Sequence, residues 1–128
     1  MPHSVDEYIF QYQHAIAQLD QAIADADVAR HVIAECQDTV NQTKYDLISG
    51  QHVIGKNAEE REANLNVLMA SMPAVQDAWM ELAQAKSELR HAERRTTVET
   101  ERCRLARVVI HYLASTTQGV LVGGTIDR

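Results

Sequence analysis

The chain has 128 residues, one domain's worth, with 45% hydrophobic residues, 5% aromatic residues, 5 Gly and 2 Pro. So few turn residues exclude a compact α/β or all-β domain, and the abundance of Ala, Gln, Glu, Asp and Leu points to long helices. A net charge of −6 removes non-specific nucleic-acid attraction as a default. The charge is uneven, because residues 1–62 carry eleven acids against four bases, and residues 86–107 carry seven bases against four acids.

Ser4 and Glu7 form a capping box that starts a helix near Val5. Tyr12, Leu19, Ala26, Ile33, Val40 and Leu47 then recur every seven residues. Ile9, Ile16 and Ile23 supply the companion row, and Ala29 and Cys36 take it over one position earlier. Nothing breaks residues 5–48, so this helix reaches about 65 Å at 1.5 Å per residue and needs a partner helix. Ser49-Gly50 ends it, with Gly50 as the capping residue. A two-glycine loop follows over residues 50–57, and Asn57 with Glu60 caps a short helix over 58–70, apolar at Leu65, Leu68 and Met69.

Pro73 opens the last helix, predicted over 73–115. Val75, Leu82, Leu89, Thr96, Cys103 and Ile110 form one row, and Ala78, Ala85, Ala92, Glu99, Ala106 and Leu113 the other. The apolar stripe widens at Val98, Leu105, Val108, Val109 and Tyr112, as a helix does when it meets more than one neighbour. Residues 116–128 read as a tail whose Val-Leu-Val segment docks or frays. The fold class is therefore all-α: two long helices in an antiparallel coiled-coil-like hairpin, a short connecting helix, and one domain over 1–115. Assembly into a helical bundle is expected, a dimer being preferred. The predicted core and oligomer positions are Ile9, Ile16, Leu19, Ile23, Ile33, Val40, Leu82, Leu89, Leu105, Val109 and Tyr112.

Chemistry-bearing motifs are weak. Gly50 to Lys56 fits the opening of a P-loop, but Asn57 stands where a magnesium-binding Ser or Thr belongs, and a helix precedes it in place of a strand. The six histidines show no HExxH and no metal-ligand spacing. Cys36 and Cys103 lack a CxxC context and read as buried thiols of a reducing compartment. With no reaction-class constellation, no cofactor motif, no membrane span and no signal peptide, the expectation is a non-enzymatic cytoplasmic protein. The candidate anion, nucleotide or partner contacts are Lys56, Arg61, Arg90, Arg94, Arg95 and Arg102. Pairing of the arginines with acids of the first helix is favoured over phosphate binding.

The run Gly55-Lys56-Asn57-Ala58-Glu59-Glu60-Arg61-Glu62-Ala63-Asn64-Leu65 resembles a signature of small helical bacteriophage and prophage proteins. In that family it joins a long leading helix to a long, charged trailing helix. The family has no established activity, so the resemblance carries over no catalytic residue. It implies a phage accessory protein acting by binding, with a host protein such as a nuclease or defence factor as target. Two alternatives stand beside it: a nucleotide- or nucleic-acid-binding protein using the Arg-rich last helix, and a structural or recombination-accessory coiled coil.

Overall fold

The computed structural model describes residues 4–126, with side chains described as far as Thr116. Three helices follow one another: α1 (Val5–Ser49), α2 (Ala58–Ala70) and α3 (Pro73–Ile126). The long helices α1 and α3 pack against each other and the short α2 joins them; there is no strand among the described residues. The start and end signals act as their chemistry predicts. The Glu7 backbone N–H donates to Ser4 Oγ at 3.2 Å. Asn57 Oδ1 accepts from the Glu60 N–H at 2.8 Å. Pro73, which has no N–H to lose, is the first residue of α3.

Two findings differ from the expected boundaries. Helix α3 does not stop at Ser115 but continues to Ile126. A helical glycine costs only about 1 kcal/mol, no proline follows Pro73, and Thr116 Oγ1 donates back to the Tyr112 carbonyl at 2.8 Å. The Val-Leu-Val side chains expected to dock or fray lie outside the described residues. At the end of α1, the His52 N–H reaches the Leu47 carbonyl at 3.0 Å and the Gln51 N–H reaches that of Ile48 at 3.1 Å. This is the Schellman pattern, and its left-handed residue is Gln51, at φ 57°, not a glycine. Gly50 serves by its size: a Cβ there would lie 2.7 Å from the His52 ring.

The contacts gather into two compact units rather than one body. Helical residues touch only the segment running alongside, so a long hairpin divides naturally. Unit 1 joins α1 up to Ala24 with α3 from Ala92 onward, and unit 2 holds residues Asp25–His91. Inside unit 2, Leu65 and Met69 of α2 and Val75 of α3 form a buried cluster, with Val40, Leu47, Val53 and Met72 packed around it. The loop before α2 is pinned to it, because Asn64 Nδ2 donates to the Ile54 carbonyl. Gly55 lies so close to α2 that a Cβ would stand 2.6 Å from the Arg61 nitrogen.

The seam between α1 and α3 is built from small side chains. Among the described residues, seven of the eleven buried hydrophobic ones are alanines: Ala15, Ala22, Ala26, Ala29, Ala78, Ala85 and Ala92. In unit 1, Ala15 borders one groove together with Glu99, and in unit 2, Cys36 does so with Ala78. Carried along the helices, the antiparallel offset that these two pairs imply brings Ala22 level with Ala92 in the first unit and Ala29 level with Ala85 in the second. Small residues on both sides let two helices approach closely, which places the larger Tyr12, Leu19, Ile33, Val40, Leu82 and Leu89 half-buried at the flank. The half-buried Thr96 is accommodated because its hydroxyl donates to the Ala92 carbonyl at 2.9 Å.

That seam corrects one row. Ile9, Ile16 and Ile23 are exposed, and the buried companion row on α1 is Ala15, Ala22, Ala29 and Cys36 throughout. Leu105 and Tyr112 are also exposed, whereas Leu19, Ile33, Val40, Leu82, Leu89 and Val109 are half-buried.

Candidate functional site

Unit 1 holds a concave surface lined by both of its helices. Its α1 side consists of Tyr8, Gln11, His14 and Ala15, with Phe10 at the rim. Its α3 side consists of Glu99, Arg102, Leu105, Ala106 and Val109. The groove encloses about 430 Å³ and opens to solvent. Helical spacing explains the set: Gln11 follows the seam on one helix, while Arg102 and Val109, seven apart, follow it on the other.

Glu99 is the unusual wall residue. It continues the row of Ala78, Ala85 and Ala92, and is only 8% exposed. Arg102, on the next turn, donates to its Oε1 at 2.7 Å. Glu99 Oε2 is buried and accepts no hydrogen bond. An acceptor without a donor in a helix seam is a costly arrangement that most folds avoid.

The predicted contact residues are not gathered into one site. Lys56 and Arg61 are exposed around the start of α2. There Asn57 already caps the helix and Glu59 and Glu60 occupy its first turn, which meets the positive end of the helix dipole without an added anion. Arg90 is exposed in unit 2, while Arg94 (exposed), Arg95 (half-buried) and Arg102 (exposed) belong to unit 1. Of this group the groove takes Arg102 alone. Two arginines of α3 pair with acids on their own helix: Arg102 with Glu99, and Arg104 with Glu101 at 2.5 Å. Arg104 thereby holds the Glu101 carboxyl below its ordinary range, chiefly through that hydrogen bond. Gln11 and His14 were not singled out by the sequence reading. The available signal was their place immediately beside the alanine row.

A second concavity, in unit 2, surrounds Cys36 with Glu35, Asp77 and Glu81. Burial pushes the Cys36 thiol up, and the Glu81 and Glu35 carboxylates push it further. A thiol held protonated is a poor nucleophile and a poor metal ligand. Among the described residues no group of three His, Cys, Asp or Glu side chains is placed to hold a metal ion. No described helix is long and apolar enough to cross a membrane. Comparison with protein-family models, with curated proteins and with solved structures returned no match.

Proposed function

We propose that this chain is a non-catalytic binding protein that works through contact with another protein. The observation that carries this reading is the pair of exposed apolar rows flanking the alanine seam of unit 1. Ile9, Ile16 and Ile23 form one, and Val98, Leu105 and Tyr112 the other, each with seven-residue spacing. Contiguous exposed apolar rows mark surfaces that meet a partner. Likeness of the Gly55–Leu65 run to phage proteins supports a partner in the host cytoplasm, such as a nuclease or defence factor. The test is capture from a bacterial lysate with the full chain and with Ile16→Glu and Leu105→Glu. A protein retained by the wild type and lost from a variant supports the reading; retention indifferent to both substitutions, or no specific retention, overturns it.

A second reading rests on the exposed arginines of α3, Arg90, Arg94, Arg104 and Arg107, which suit phosphate groups of a nucleotide or nucleic acid. Titration with a nucleotide mixture and short DNA tests it, and charge reversal at Arg94 and Arg95 that leaves affinity unchanged refutes it. The coiled-coil scaffold reading predicts an oligomer indifferent to all these ligands.

A further inference from the structure

We infer that the groove of unit 1 is the docking face for a second copy of this chain, an inference that rests on the protein-binding reading and names one such partner. Three observations lead to it. The first is shape. The groove lies beside two large aromatic side chains that its own chain leaves in solvent, Phe10 at its rim, 69% exposed, and Tyr112, two turns beyond Leu105 and one beyond Val109, 68% exposed. A surface bearing both a recess and projecting rings is self-complementary, as a two-fold interface requires.

The second is charge. Between Ser4 and Ala24, α1 carries Asp6, Glu7 and Asp20 and no Lys or Arg. Between Ala92 and Thr116, α3 carries five arginines against three glutamates, two of which are engaged by Arg102 and Arg104. A two-fold axis over the groove lays each acidic limb on the basic limb of the other copy. Opposite patches then meet twice.

The third is area. The alanine seam gives each helix pair little apolar burial of its own. At about 200 Å² per aromatic side chain, Phe10 and Tyr112 alone offer about 270 Å² of exposed surface. Leu105, 50% exposed, and Val98, 48% exposed, with the groove walls and the flanking charged stems, add to this toward the roughly 800 Å² per partner typical of stable complexes. The product is a four-helix bundle made from the limbs of unit 1, in which Tyr112 and Phe10 of one copy fill the groove of the other.

The test is light scattering coupled to size-exclusion chromatography on the full chain over a range of micromolar concentrations. The wild type is expected at twice 14.3 kDa. Leu105→Glu and Tyr112→Glu are expected to halve that mass while far-ultraviolet circular dichroism stays unchanged, since both side chains are exposed in the single chain. Ile16→Glu, on the other flank of the seam, is expected to remain a dimer. A monomeric wild type overturns the inference, as does dissociation caused by Ile16→Glu and not by Leu105→Glu. The two readings separate cleanly: a monomer that still retains a lysate protein leaves protein binding standing and removes the dimer. A groove-dependent dimer that retains nothing removes the foreign partner and keeps the self-contact.

Discussion

Replacing the buried carboxylate of Glu99 should stabilise the protein, and removing its partner should do the reverse. Glu99 is 8% exposed and one of its oxygens accepts no hydrogen bond, a deficit of about 1–3 kcal/mol. Its pair with Arg102 offsets only part of that deficit, because the Arg102 side chain is 65% exposed and solvent screens the attraction. Glu99→Met keeps the methylenes that line the groove and removes the unsatisfied oxygen, so the expected gain is about 1–2 kcal/mol. Arg102→Met leaves Glu99 with neither oxygen paired. Breaking a fully buried pair costs about 3–5 kcal/mol, and the open groove reduces this to about 1.5–3. The double variant should recover most of the Glu99→Met gain, giving a coupling energy of at least about 1 kcal/mol. Urea unfolding followed by circular dichroism at one fixed protein concentration measures all four corners of the cycle. In thermal melts each kcal/mol corresponds to about 4 °C for a chain of this size. A Glu99→Met variant that loses more than about 1 kcal/mol, or an Arg102→Met variant indistinguishable from wild type, refutes the reasoning.

Three further outcomes are expected. Gln51→Gly should raise stability by about 0.5–1 kcal/mol in the same urea assay, because glycine adopts a φ of 57° without the Cβ crowding that Gln51 bears. Gly55→Ala should lower it by about 1–3 kcal/mol, since the new Cβ would meet backbone, the Arg61 nitrogen at 2.6 Å and its Cα at 2.9 Å, which no rotamer change relieves. For Cys36 the folded thiol pKa lies above the ordinary 9.0, so its contribution is fully present below 9.0 and is lost as pH rises through the higher folded value. Urea midpoints should therefore fall above pH 9.0 more steeply in wild type than in Cys36→Ala, and parallel slopes would refute this.

The parts of the fold legible in the sequence were those in which one residue type has one structural meaning. Ser4, Asn57 and Pro73 mark helix starts because an oxygen acceptor or a missing N–H suits only that position, and all three stand where expected. The rows on α3 were readable because Ala78, Ala85 and Ala92 have no competing apolar row beside them on the N-terminal half. On α1 two rows competed, Ile9-Ile16-Ile23 and Ala15-Ala22-Ala29, and ranking by hydrophobicity favours isoleucine. Burial follows the smaller side chains instead: Ala22, Ala29, Ala85 and Ala92 are buried in the seam, and the isoleucines are left on the flank. A hydrophobicity pattern reports which residues gain from leaving water; it does not report how far apart two helices sit, and that distance depends on both strands of the seam at once. The groove was hidden for the same reason. Gln11 and His14 lie 88 and 85 positions before Glu99 in the chain and meet it only after the antiparallel offset is set. That offset follows from matching Ala15, Ala22 and Ala29 against Glu99, Ala92 and Ala85. Had the alanines been aligned first, Glu99 would have stood out as the one ionisable residue in a row of methyl groups, and the isoleucines and Tyr112 as apolar surface still seeking a partner.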